Sequence, residues 1–526
     1  MAQSTTGTSL VTNTAASTRK IAYRVRFDYA DAGFGNESSW TDESAYVKSI
    51  EGSLQATDWR KPIAAVGKSV TDDCVVTMRN PECTGSYSGL RFSATNADGS
   101  LYSYIRDGRF LGIRAIAEIG FYDGATAEYT RQVTGYVTDV TESYKQKSVR
   151  VTIKDRSSAC LQSRHTSGVY QNYSASQYAG ILAAALDRDP ISSSTYQRFD
   201  PGLTPLKYTW LDDDLLWQEM GLLAESQLGR VYFDKDGALV FEDGAHFVRS
   251  QSTSGDDPTE SQYTFTVADF AALNPQFDKQ SVYNHIMVEY QPRYLAQSQV
   301  VYALSEDQLV IPPSTSKTFT CELRYPCQDM STLVAGTGLL ATTAGGVDIS
   351  SSFTPTVTEY AQKCDVVIAN GNTQFTAYVT KLELVGRPLL SDQPSKYEVE
   401  DETSIARHGR RTWPVNNPYV FSHRQAQQIG DFLLQRFKEP VLRVALKGVR
   451  GVPYLEAGDR VTLVDALTGI NYDWFVGRIT WKWNPGDNYL MDLDLMRCSD
   501  LFTYTNYFVI GTSRYGNSTG KGRVFW

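Results

Sequence analysis

Long apolar runs are missing from this chain of 526 residues. No stretch reaches the roughly 18 apolar residues that a membrane-spanning helix needs, so no membrane span is expected. The stretch from Met1 to Thr18 has neither a basic start nor an apolar centre, which excludes a signal peptide there. It is too polar to bury much, and residues 1–19 are expected to form a flexible arm or to dock on a neighbour. Cysteine is sparse: 7 residues, an odd number, argue against a disulfide framework and for reduced, buried thiols in a chain assembled in a cytoplasm. Whether Cys321 and Cys327 pair stays open. The 5 histidines (165, 246, 285, 408 and 423) nowhere show the spacing of a zinc helix, and no metal or cofactor is expected. Positive charge is also short. A net charge of −9 excludes a module that grips nucleic acid mainly through its phosphates.

What is present is β-rich text. Aromatics make up 12% of the chain, with 32 Tyr, which favours strands and broad contact surfaces. Alternating segments begin at Ile21, Val47 and Cys74, with turn signals at Asn80-Pro81 and Asp98-Gly99. The fold expected is mainly β with α+β decoration. Residues 20–160 are expected to form one β-barrel and residues 161–249 a small α+β domain. A second barrel should come from 250–312 and 396–497, with a helix at 422–438. Residues 313–395 should form a β-sandwich inserted into that barrel, and 498–526 an aromatic terminal segment. Ser174 and Ser422 each open a capping-box pattern ahead of an amphipathic stripe. A further helix is expected to open at Asp212–Asp214, whose carboxylates suit a helix N-terminus. Gly229 to Glu242 reads as a hairpin with Asp236-Gly237 at its turn.

The organising feature is an internal repeat. Setting Gly108 on Gly458 brings Leu111 and Ile113 onto Val461 and Leu463. Setting Gly135 on Gly477 brings Val137 onto Ile479. With no gap, Val149, Val151 and Ile153 then fall on Met491, Leu493 and Leu495. The repeat predicts two matched antiparallel modules in one chain.

No catalytic constellation emerges. Asp234-Lys-Asp-Gly starts like a calcium loop but lacks the distal acids, and a hairpin turn explains it. Asp212-Asp-Asp214 is a weak candidate for a glycosidase carboxylate pair. His408-Gly-Arg-Arg-Thr-Trp is the densest basic-aromatic cluster, expected to make salt bridges between domains or subunits. The chain is not expected to be an enzyme.

Several of these stretches, in their order, resemble one family. The helix 423–437 ending at Pro440, strand 441–446, Leu455-Glu-Ala-Gly-Asp-Arg-Val-Thr-Leu and Trp474-Phe-Val-Gly-Arg-Ile look like the hub proteins of phage tails. So do Asp401 to Arg411 and the hairpin from Gly229, and the resemblance spans residues 100–500. It implies a baseplate-hub or tail-associated protein: a homotrimer with two related β-barrel tube domains per subunit, so that six barrels surround the axis. The partners it implies are a hexameric tail tube or distal tail protein above, and a tail fibre, spike or tape-measure protein below or inside. DNA would pass through without specific binding, past a wall expected to be acidic, and the location would be the tail tip of a virion. The alternative reading is a receptor- or glycan-binding tip protein acting through 313–395 or the C-terminus. A carbohydrate-active enzyme is a third.

Overall fold

The computed structural model describes residues 8–16, 19–56, 66–68, 72–83, 89–246, 260–277, 279–304, 309–486 and 488–498. The expected terminal segment, beyond Cys498, lies outside them. The polar arm is not loose throughout: α1 (Thr8–Ala15) buries Leu10 in the main core. Arg19 then holds the segment by donating to Gly451 O at 2.6 Å.

Two sets of six strands carry the fold. The first is β1 (Ile21–Phe27), β2 (Val47–Gln55), β3 (Asp73–Arg79), β4 (Arg114–Asp123), β5 (Thr126–Ser143) and β6 (Ser148–Asp155). The second is β7 (Tyr263–Thr266), β8 (Ala272–Phe277), β9 (Leu442–Arg450), β10 (Arg460–Asp465), β11 (Ile470–Trp483) and β12 (Leu490–Arg497). In space they run β1-β4-β5-β6-β3-β2 and β7-β10-β11-β12-β9-β8. Counted within each set, the strand order is the same. One pairing differs in sense: β1 is antiparallel to β4, whereas β7 is parallel to β10.

The sets do not close as two separate barrels. All twelve strands belong to one 13-stranded sheet, because β2 uses its second edge on β11 rather than on β1. β3 and β10 alternate buried and accessible residues, so one face of the sheet meets the core there, while β4 is buried on both faces from Ala115 to Phe121. Val137, Val149, Val151, Ile153, Val461, Leu463, Ile479, Met491, Leu493 and Leu495 all lie in that core.

Backbone pairing corrects the alignment of the repeat. Gly112 N–H donates to Val137 O at 2.6 Å, and Gly458 N–H donates to Val476 O at 2.7 Å. Both glycines have positive φ, +86° and +104°. Gly112, not Gly108, therefore stands where Gly458 does, and Ala115 and Ala117 match Val461 and Leu463. Leu111 is 53% exposed, and Ile113 is half-buried. In the next strand, Val137 matches Val476, each followed by a bulge, at Thr138 and at Gly477. Gly135 and Gly477 are thus glycines for different reasons. A Cβ at Gly135 would sit 1.8 Å from Lys154 O, whereas Gly477 occupies the bulge. Val149, Val151 and Ile153 still match Met491, Leu493 and Leu495, but with a gap, because the last β11–β12 pair is Lys482–Leu490 and the last β5–β6 pair, Ser143–Ser148, spans a shorter connection.

Two further cores decorate this sheet. α2 (Ala175–Ala184), with the capping box at Ser174, and α3 (Leu216–Ser226) pack on the hairpin Arg230–Phe233/Leu239–Glu242. The expected helix start at Asp212–Asp214 is a turn instead. Asp213 has φ +59°, Asp214 pairs with His165 in a short bridge, and α3 begins at Leu216. The sheets between Arg293 and Ser391 enclose a third core around Ile311, Val366, Ile368 and Val379. There Cys321 lies opposite Cys364, not Cys327. α4 (His423–Phe437), capped by Ser422, covers the strand His285–Tyr290 and adds Ile429, Leu433 and Phe437 to the main core.

The corrected alignment makes a prediction. At Gly458 a Cβ would lie 1.8 Å from Arg230 Nη1, while at Gly108 it would meet nothing within 4 Å. Gly458→Ala should cost about 2–4 kcal/mol and Gly108→Ala about 1 kcal/mol, read from denaturant unfolding. Equal costs would contradict the assignment.

Candidate functional site

The most informative surface is the seam between the two sets. β2 and β11 run antiparallel with Ile50 opposite Trp483, Gly52 opposite Trp481, Leu54 opposite Ile479 and Gln55 opposite Arg478. The ladder ends where Ala56 N–H donates to Gly477 O at 3.0 Å. On the core side Ile50, Leu54, Ile479, Trp481 and Trp483 are all buried. Gly52 is required by this packing, since a Cβ there would approach Trp481 Cζ2 to 2.6 Å and Asp73 O to 2.7 Å. Trp483 in turn packs against Tyr23, the rings tilted by 33° with centroids 4.2 Å apart.

The opposite face of the seam is polar and mixed in sign. Glu51, Asp73, Asp492 and Asp494 share it with Arg150, Lys154, Arg478 and Lys482. Arg150 reaches Glu51 at 3.2 Å, Lys482 reaches the same carboxylate at 3.9 Å, and Lys447 reaches Asp492 at 3.1 Å.

A hairpin from the α+β decoration wedges into the seam. Its tip, Asp234 to Gly237, sits between β5 and the loop 453–457. Lys235 Nζ donates to Pro453 O at 2.9 Å and Leu455 O at 2.7 Å, while Thr134 Oγ1 donates to Lys235 O at 2.7 Å. Arg156 donates to Gly237 O at 2.8 Å, and Gln132 Nε2 joins the two sets directly through Pro453 O at 2.9 Å. At the hairpin base, Arg230 pairs with Glu242 and donates to Ala457 O at 3.1 Å.

Burying so many ionisable groups moves their titration. Burial would raise Glu242, but Arg230 and His246 hold its carboxyl down at about 2. Burial depresses Lys235 despite the nearby Glu456. Burial pushes Asp234 up to about 6 against Arg198, and Asp155 up to about 6 against hydrogen bonds from Ser157 and the Asp72 amide. These groups lock interfaces together. They present no open cleft with a nucleophile beside a base.

The residues singled out from sequence do not converge on a second site. His246 contacts Asp200 at 2.9 Å, His285 contacts Thr412 at 2.9 Å, and His408 contacts Glu439 at 3.2 Å. Within the basic cluster Arg410 makes an ion pair inside the chain, to Glu400 at 2.6 Å, and the adjoining Arg407 reaches Glu439 at 3.3 Å. Asp213 pairs with Arg164 at 3.1 Å. The β2–β11 pairing and the wedge were missed by sequence reasoning; Gly52, set between Ile50 and Leu54 on the core-facing side of its strand, is the one local trace of them.

No family model matches the chain, and no curated protein matches it. Among solved structures, it is similar to the 43 kDa tail protein of prophage MuSo2 from Shewanella oneidensis. Identity is 12% and the TM-score 0.46, over 91% of this chain and 99% of that one. It is also similar to a tail protein from Neisseria meningitidis MC58, at 10% identity and a TM-score of 0.46 over 92% and 98%. A third is prophage tail protein gp18 from Listeria monocytogenes EGD-e, at 10% identity and a TM-score of 0.40 over 90% and 94%.

The buried carboxyls set a pH dependence. Asp155 and Asp234 keep their protons to about pH 6 when folded. In the unfolded chain each loses its proton near 4. Between about pH 4 and 6 the folded state therefore binds more protons, so stability should fall as pH rises through that window. Asp155→Asn should flatten the fall in unfolding free energy measured from pH 4 to 6; an unchanged slope would contradict the assignment.

Proposed function

We propose that this chain is a structural hub of a phage tail tip or baseplate, located in the virion tail. Three copies, each with two barrel-like tube modules, make a pseudo-sixfold ring that continues or closes the tail tube and takes part in DNA delivery. The observation that carries this reading is the strand order repeated in the two sets, joined edge to edge in one sheet. A chain built this way offers two copies of one surface, and threefold assembly turns these into six. A sixfold tube partner then meets a matched ring rather than three dissimilar contacts. The order of motifs that resembles tail hubs points the same way.

The polar face of the seam bears on DNA passage. This face is mixed in sign rather than acidic, since Arg150 and Lys482 share Glu51 and Lys447 holds Asp492. Cations committed to carboxylates release few counterions on meeting phosphate, so transit without adhesion fits this face as well as an acidic one would. The function proposed involves no catalytic step.

Light scattering of the purified chain tests the assembly. The expected mass is three times the 58.6 kDa of one chain. A monomer at every concentration would contradict the proposal. The same preparation should not retain duplex DNA at about 0.15 M salt, read by gel shift; retention weakening steeply with salt would contradict unhindered transit.

A further inference from the structure

The seam inside the chain has two unused halves. β11 pairs with β10 through Ile470 to Phe475, and the same edge then pairs with β2 through Arg478 to Trp483. Its counterpart β5 pairs with β4 as far as Tyr136. Among the described residues no strand follows on that edge, so 139–143 lies open. Likewise β2 has β3 on one side and β11 on the other, while its counterpart β8 has β9 alone. One chain thus presents both partners of the internal seam, once joined and once apart.

We propose that β8 of one copy pairs antiparallel with the far half of β5 in the next copy, in the register of the internal seam. This rests on the trimeric reading above and adds the contact that would hold it. The register follows from the pairings already described. Gly52 pairs with Cys74 and Pro275 with Val444, which occupy like positions beside Ile153 and Leu495. Ile50, Gly52 and Leu54 therefore correspond to Leu273, Pro275 and Phe277. The bulges at Thr138 and Gly477 match Val140 with Ile479 and Tyr144 with Trp483. Leu273 then faces the neighbour's Tyr144, Gln276 faces its Thr141, and Phe277 faces its Val140.

Burial singles out the same residues. Leu54 is 6% exposed and Trp483 4%, whereas Phe277 is 71% exposed and Tyr144 78%. Large apolar side chains stand in water at the two positions whose counterparts are buried in the internal seam. The charged pair Glu51–Lys482 has the neutral pair Asn274–Ser143 as its counterpart, so that rung of the new seam carries no charge. One rung is weaker. Ala56 N–H faces Gly477, and alternation aims Leu54, Gly52 and Ile50 at β11 as well. Pro275, in the place of Gly52, can offer only its carbonyl there. Such a proline also keeps the lone edge from pairing at random. Because the two edges differ, the contact is head-to-tail, and copies add until the ring closes.

Cysteine pairs in the full chain test the register. Thr141 and Gln276 are both exposed, so Thr141→Cys with Gln276→Cys should leave folding intact. Directly opposed residues have Cα atoms about 4.5–5.5 Å apart, within disulfide reach. Mild oxidation should give covalent trimers on a denaturing gel, with each single variant staying uncrosslinked. Asp139→Cys with Gln276→Cys is displaced by one diagonal, about 7–8 Å, and should link at least about tenfold more slowly. A protein that scatters as a trimer yet links neither pair, or both equally, overturns the register and leaves the hub reading standing. A monomer with no links overturns both. Covalent ladders running past three chains support the register and overturn the closed ring.

Discussion

The ladder between Ile50–Gln55 and Arg478–Trp483 is the constraint on which the architecture turns. It joins segments more than four hundred residues apart and makes one sheet of two strand sets that could each have closed alone. Its cost is local: Gly52 must stay bare so that Trp481 can lie across it. Its gain is a core continuous across the seam, with Leu54, Ile479, Trp481 and Trp483 removed from water together. At roughly 1.5–3 kcal/mol for each large apolar side chain fully buried, that patch outweighs the entropy lost by one glycine.

The wedge hairpin explains why the seam has one geometry. Apolar contact alone would let β2 and β11 slide by two residues without changing faces. Lys235 cannot slide, because its ammonium meets two particular carbonyls in 453–457 while its own carbonyl is held by Thr134. Buried charges of this kind contribute little net stability but penalise any arrangement that leaves them unpaired. The decoration between the two repeats thus acts as a register pin.

Local signals were legible in the sequence wherever the physics was local. Alternation marked the strands at Ile21, Val47 and Cys74 but not those at Tyr263–Thr266 and Ala272–Phe277, and the serine caps at 174 and 422 opened the helices they promised, because a cap bonds to amides two or three residues away. The Asp236-Gly237 turn held for the same reason. Asp212–Asp214 misled because carboxylates suit a tight turn as well as a helix start, and Asp213 takes the turn. The repeat was visible, yet glycines were poor rulers for aligning it. Gly108 ends a short helix, Gly112 and Gly458 close a strand entry, Gly135 admits a carbonyl and Gly477 sits in a bulge. Sequence shows that a glycine is needed and not which of these needs it serves. Pairing partners such as β2 and β11 leave almost no local trace, so the seam itself was out of reach.

The account's central claim is that one chain holds two copies of one module, joined by the kind of seam that also joins chains. A cryo-electron map of the assembled protein, at a resolution that separates strands, tests it most directly. The account predicts six alike modules around the axis, with the β2–β11 seam alternating with a β8–β5 seam of the same strand order. A map in which the two halves of the chain fail to superpose, or in which β8 and the far half of β5 both face solvent within the assembly, would contradict it.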